Sequence, residues 1–121
     1  MIAVILASGA LDRLYTGLSL LVCTAVEGEQ AHGLVTFEAL APVLDAELEE
    51  RATAERGALF GRTLAELRAT ARELPECRLW ACAAAVETTA ADRDAIAAQL
   101  DGVLSMPRFL ADAAGARLVV V

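Results

Sequence analysis

The sequence predicts a single α/β domain, a three-layer α/β/α sandwich around a mainly parallel, five-stranded, Rossmann-like sheet. Short and almost wholly apolar runs alternate with longer segments whose apolar residues recur at helical spacing. Strands of a parallel sheet are buried on both faces, so they form continuous apolar runs, whereas the connecting helices are apolar on one face only. A chain of 121 residues has the length of one domain with one core.

The first quarter of the chain predicts two strands joined by a helix. Residues 2–7 are apolar and partly β-branched, which is typical of a buried strand. Asp12 offers an N-cap for a helix that continues to Val26. Residues 33–37 predict a second strand, and His32 is expected just before it.

Two helices are predicted before the third strand. Residues 45–56 form the most polar stretch of the chain, which favours a solvated helix at the rim of the domain. Thr63 and Glu66 have the spacing of a capping box, so they predict the start of a second helix. Its buried stripe runs to Leu74.

The last third of the chain adds three apolar runs that predict strands: residues 78–82, 103–104 and 116–121. Thr89 with Asp92 predicts the N-terminus of the helix between the first two of these runs. A further helix is expected over residues 106–114, with Phe109 and Leu110 on its inner face.

Charge and cysteine content bear on the functional class. Seventeen acidic residues against ten basic residues give a net charge of −7, which repels phosphate backbones, so no nucleic-acid partner is expected. No apolar run is long enough to predict a membrane span, and no basic signal-peptide region precedes the first strand, so a cytoplasmic location is expected. Three cysteines, an odd number, argue against a disulfide framework.

The predicted topology selects candidate site residues by position. Ligands of parallel α/β sheets bind beyond the carboxyl ends of the strands. This rule selects Ser8 and Gly9 after the first strand, Thr36 and Phe37 after the second, and Cys82 after the third. Cys82 is the only strong nucleophile at that edge. A thiolate favoured by a helix N-terminus or a nearby cation is reactive, whereas a buried thiol acts as a small apolar side chain.

The other residues with potential chemistry are weaker candidates. Cys23 is expected to pack in the core from the first helix, and Cys77 begins the third strand, about 16 Å from Cys82 at strand rise. His32 is expected at the amino edge of the sheet, so neither a Cys–His pair nor a metal site is expected. No loop matches a dinucleotide or Walker phosphate-binding pattern, and no cofactor is expected.

Several segments together resemble the DsrE/DsrF-like (TusD-like) sulfur-relay family. Residues 34–40 are similar to the family's second strand and the segment after it, and residues 77–82 to its third strand, which ends in Ala-Cys. The resemblance implies a persulfide carried on Cys82 and exchange of sulfur with donor and acceptor proteins. It also implies homo-oligomers, either trimers or hexamers. If the protein is such a sulfur carrier, we expect Ser8, Gly9, Thr36 and Phe37, selected by the strand-end rule, to shape the pocket.

Two hypotheses therefore follow from the sequence. In the first, the protein is a sulfur carrier or sulfurtransferase that uses a persulfide on Cys82. In the second, it is a non-catalytic oligomeric subunit or a small-ligand-binding module in which Cys82 is structural. A flavin or nucleotide binder is a third possibility, but this sequence lacks the phosphate-loop signature that such binders carry.

Overall fold

The computed structural model describes residues 1–121 as one sheet with helices on both faces. The strands are β1 (Ile2–Leu6), β2 (Ala31–Val35), β3 (Cys77–Cys82), β4 (Gly102–Leu104) and β5 (Arg117–Val120). The helices are α1 (Leu11–Val26), α2 (Phe37–Leu44), α3 (Leu48–Arg56), α4 (Ala58–Glu73), α5 (Ala83–Thr89), α6 (Arg93–Gln99) and α7 (Met106–Asp112). The strand order is β4-β3-β2-β1-β5 and every pair is parallel. The predicted fold class is confirmed.

Helices pack against both faces of the sheet. On one face, Gly33 leaves room for Leu21 of α1 and Leu79 of β3, both of which a Cβ at position 33 would meet. Trp80, the next residue of β3, points to the opposite face and packs edge-on against Phe109 of α7, with ring centroids 6.5 Å apart. Phe109 is fully buried. The seven-residue α7 therefore anchors the second helical layer.

The start of α1 differs from the prediction. Ala10 is the N-cap residue, and it makes no side-chain capping bond. Asp12 lies in the first turn and accepts a hydrogen bond from the backbone N–H of Arg13, so the prediction that Asp12 caps the helix is wrong. A carboxylate in the first turn still interacts favourably with the helix dipole.

The region between β2 and β3 contains the largest departure from the prediction. The second strand ends at Val35, and Phe37 begins α2, a helix that the sequence analysis missed. Pro42 lies inside α2, and an interior proline normally argues against a helix.

The predicted capping box at Thr63 is also wrong, because α4 begins at Ala58. Gly57, with φ of 96°, ends α3 and starts α4, a backbone conformation that favours glycine. Thr63 lies inside the helix and donates its hydroxyl to the carbonyl of Leu59. The polar helix α3 begins three residues later than predicted, at Leu48.

The last third of the chain agrees with the prediction in part. Asp92 is the N-cap of α6 and accepts a hydrogen bond from the N–H of Asp94, whereas Thr89 ends the short helix α5, which the sequence analysis missed. On α7, Phe109 faces inward as predicted but Leu110 is 44% exposed, so its predicted inward position is wrong. No helix of the protein is both long and apolar enough to cross a bilayer.

His32 is the second residue of β2, and its ring lies edge-on to Trp80 at 5.3 Å. Its Nδ1 atom is buried and has no hydrogen-bond partner. Burial lowers the pKa of His32 below its ordinary value of 6.5, Asp112 opposes this shift, and Arg78 adds to it. The folded protein therefore disfavours the imidazolium form.

We expect the free energy of unfolding to decrease as the pH falls from about 7 towards 5. The unfolded chain takes up a proton on His32 near its ordinary pKa of 6.5, whereas the folded chain resists that proton until a lower pH. Urea titrations at several pH values measure the effect. His32 is the only histidine, so a His32→Phe variant should show a flatter profile in this range. An equal slope in the variant would contradict the account.

Candidate functional site

The main concave feature is a groove of about 700 Å³ at the carboxyl edge of the sheet. Its walls come from the loop after β1, from α2 and α3, and from the connection between α5 and α6. These segments follow β1, β2 and β3 in the chain, so the groove lies where ligands of parallel α/β sheets bind. We call this feature the carboxyl-edge groove.

One wall of the groove depends on a close backbone approach. A Cβ atom added at Gly9 would lie 2.6 Å from the carbonyl oxygen of Glu38, closer than side chains approach a backbone oxygen. The loop after β1 therefore packs directly on the first turn of α2. Only glycine fits at position 9 without a shift of one of the two segments.

The opposite rim is fixed by two arginines that contact the end of α2. Nη1 of Arg68 donates to the carbonyls of Val43 and Asp45, at 2.9 and 2.7 Å. These bonds satisfy carbonyl groups at the C-terminal end of the helix. Burial lowers the pKa of Arg68, and the charge of Asp45 partly offsets this effect. Nε of Arg51 donates to the Asp45 carboxylate at 2.7 Å.

The Asp45 carboxylate is held by several donors at once. It accepts a hydrogen bond of 2.9 Å from the backbone N–H of Glu47 as well as the bond from Arg51. The bond from Glu47 and then the contact with Arg51 lower the pKa of Asp45, against the opposing effect of burial. Asp45 and Arg51 thus form a charged pair at the rim.

Most of the charged residues that line the groove are acidic. The charged residues that line it are Glu38, Asp45, Arg51, Glu55 and Asp92, so four carboxylates face one guanidinium. Its apolar part includes Leu11, Leu40 and Leu44. A mixed lining of this kind can hold a small organic molecule, with the apolar surface covering its body and the charged groups orienting it.

Two of the predicted site residues line the groove. Gly9 and Phe37 do so, and the side chain of Phe37 is 48% exposed. Ser8 and Thr36 do not line it. The Ser8 hydroxyl accepts a hydrogen bond from the N–H of Ala10, and the buried Thr36 hydroxyl donates to the carbonyl of Leu6. The Ser8 hydroxyl therefore stabilises the turn after β1, and the Thr36 hydroxyl links the ends of β1 and β2.

Cys82 lies at the predicted edge but not in the groove. It is the last residue of β3 and the N-cap residue of α5. Its side chain is buried, with 4% exposed, and it does not line the carboxyl-edge groove. Its parallel neighbour in β4 is Leu104.

The other two cysteines differ in solvent exposure. Cys77 begins β3 and is buried, and burial together with Asp101 raises the pKa of its thiol to about 11, against a smaller effect of Arg78. Cys23 is exposed, so its predicted core position is wrong. It lies two residues after the buried Leu21 on α1, and about 100° per residue places it on the other side of the helix.

Sequence reasoning missed the charged rim of the groove. The sequence predicts one solvated helix that contains both Asp45 and Arg51, but Asp45 is the C-cap residue of α2 and Arg51 lies in α3. Asp92 was identified only as a helix cap. The sequence carries no local signal for their meeting, because their positions depend on how three separate segments pack.

The structure contains no group of three or more His, Cys, Asp or Glu side chains that could hold a metal ion. No protein-family model matches the chain, and no curated protein matches it in sequence. The resemblance to DsrE/DsrF-like proteins therefore stays a prediction, and the groove is interpreted from its own geometry.

Proposed function

We propose that this protein is a small-ligand-binding module that holds an organic ligand in the carboxyl-edge groove. The observation that carries the proposal is the position of the groove, just beyond the carboxyl ends of the parallel strands β1 and β2 and beside the N-terminus of α6. Its volume of about 700 Å³ lies within the range of small-molecule sites. Cys82 is structural in this proposal, in keeping with its burial.

A groove-filling substitution tests the binding proposal. Ala41 is exposed and lines the groove, so Ala41→Trp should fill it, whereas Ala69→Trp places the same side chain on an exposed position of α4 outside the groove. The probes are hexylammonium, hexanol and hexanoate at millimolar concentration, observed through amide chemical shifts. At least one probe should shift groove amides in the wild type and in Ala69→Trp but not in Ala41→Trp. Shifts that are absent from the wild type, or unchanged by Ala41→Trp, would contradict the proposal.

A second candidate function, persulfide carriage by Cys82, is favoured by the position of that residue immediately before the first turn of α5. Unpaired N–H groups of a helix N-terminus favour a thiolate. The Cys82 thiolate would attack a sulfane sulfur of a donor, forming one S–S bond while the donor's S–S bond breaks and its electron pair leaves with the remaining donor. An acceptor thiolate would then take the outer sulfur and regenerate the Cys82 thiolate. Because Cys82 is buried, this function requires a local movement that exposes its sulfur.

Polysulfide treatment with intact-protein mass spectrometry tests sulfur carriage. The exposed Cys23 would also react, so the experiment requires a Cys23→Ser background. Carriage by Cys82 predicts a gain of about 32 Da, one sulfur atom, that disappears in Cys23→Ser/Cys82→Ser. A native Cys23→Ser protein that gains no sulfur, or a gain that persists without Cys82, would exclude this second function.

We also propose that the chain forms homo-oligomers through the sheet face beside α7. By strand alternation and register, Leu118 and Val120 of β5 share this face with Ile5 of β1. Leu118 and Val120 are 53% and 61% exposed. Parallel sheets are normally covered on both faces, and exposed apolar patches commonly mark association surfaces. The family resemblance implies a trimer or a hexamer, and we propose that the oligomer has one of these sizes.

Sedimentation velocity tests the association surface. A Leu118→Glu/Val120→Glu variant should dissociate the wild-type oligomer, because it places charges in a face that must be desolvated. Leu59→Glu is the control, since Leu59 is an exposed leucine on α4, away from β5. A monomeric wild type, or an oligomer that the double variant leaves intact, would contradict the proposed surface.

A further inference from the structure

The polar lining of the carboxyl-edge groove is unbalanced in charge. Four carboxylates and one guanidinium line it, which leaves three net negative charges. We propose that the ligand of the groove is a small organic cation, an amine or a guanidinium compound with an apolar body. This inference rests on the proposed binding function and specifies the chemical class of its ligand.

The four carboxylates of the groove differ in whether they form hydrogen bonds or ion pairs with the protein. Asp45 is paired with Arg51, and Oδ1 of Asp92 accepts the N–H of Asp94 at the start of α6. Glu38 and Glu55 have no hydrogen bond or ion pair from their side chains in the structure. Two free carboxylates therefore line the groove, while its single arginine is already neutralised by Asp45.

Anionic ligands are disfavoured by the same arrangement. Helix N-termini bind phosphates in many α/β proteins through their free N–H groups and dipole. At this groove, the first turn of α2 contains Glu38 and the N-cap of α6 is Asp92, so each of these helix N-termini carries its own carboxylate. A phosphate or carboxylate ligand would meet like charges there, which makes nucleotides and flavins poor candidates.

A metal ion does not explain the negative lining either. No set of three acidic, His or Cys side chains is close enough to hold one. The carboxylates instead border a groove of about 700 Å³, which suits a molecule with a body as well as a charge. An ammonium or guanidinium group can hydrogen-bond to a carboxylate while the remainder of the molecule covers apolar surface.

The apolar lining supports an organic cation independently of the carboxylates. Leu11, Leu40 and Leu44 line the groove and can cover a hydrocarbon body. The ring of Phe37, which lines the groove and is about half exposed overall, is a further group that attracts cations, through the negative face of its π system. An aromatic ring and free carboxylates around an apolar surface are a combination that favours organic ammonium groups.

Three probes of equal chain length test the inference: hexylammonium, hexanol and hexanoate. Hexylammonium should bind about fivefold or more tightly than hexanol, and hexanoate should bind most weakly, as measured by amide chemical shifts at low ionic strength. Glu38→Gln/Glu55→Gln should weaken hexylammonium binding about threefold to fivefold and leave hexanol binding unchanged. Glu66→Gln, an exposed position of α4 outside the groove, is the matched control and should have no effect.

The outcomes separate this inference from the proposed function. If hexanol or hexanoate binds as tightly as hexylammonium and Ala41→Trp abolishes that binding, the groove is a binding site but the cation inference is wrong. Hexylammonium binding that the double Gln variant does not weaken also overturns the inference. If none of the three probes binds, both proposals fail together.

Discussion

The close approach of Gly9 to the carbonyl of Glu38 is the contact on which the functional part of this structure depends. It seats the loop after β1 on the first turn of α2, and so joins the carboxyl ends of the two central strands β1 and β2. The hydroxyl and the N–H of Thr36, both bonded to the carbonyl of Leu6, tie the same strand ends together from below. The groove is therefore built on two strand ends that are hydrogen-bonded to each other, which favours a preformed site.

The groove also illustrates how helix ends determine what a parallel sheet can bind. In many α/β proteins the helix N-termini at this edge attract anions. Here Glu38 and Asp92 occupy those positions, and Arg51, the one basic residue of the lining, is paired with Asp45. The same fold thus presents a negative rim above an apolar surface. The sheet sets the location of the groove. The negative charge of the groove comes from Glu38 and Asp92 at two helix N-termini, together with Asp45 and Glu55 at the C-terminal ends of α2 and α3.

The sequence predicts the sheet well because each strand is mostly apolar, although β2 begins at Ala31, so that His32 lies within the strand and not before it as predicted. It predicts the helices less well where local signals mislead. Pro42 lies inside α2, and because proline normally argues against a helix, the sequence gives no sign of this helix. Thr63 has the spacing of a helix cap, but α4 begins earlier, after Gly57 with its positive φ. Cys23 was assigned to the core because its neighbours are apolar, but its angular position on α1 places it outside.

The candidate site could be predicted only in part. The strand-end rule selects Gly9 and Phe37, which line the groove, but it also selects Thr36, whose hydroxyl is used inside the fold. It places Cys82 at the right edge without revealing that the side chain is buried. The pairing of Asp45 with Arg51 results from the packing of α2, α3 and α4, which leaves no pattern in the sequence.

The free energy of unfolding of a Gly9→Ala variant tests the central contact most directly. The added Cβ would lie 2.6 Å from the Glu38 carbonyl oxygen, so one of the two segments must shift. We expect a loss of about 1–3 kcal/mol, the usual cost of inserting a group into a filled space. A variant as stable as the wild type would show that the loop after β1 does not pack on α2, and would therefore contradict the structure of the carboxyl-edge groove.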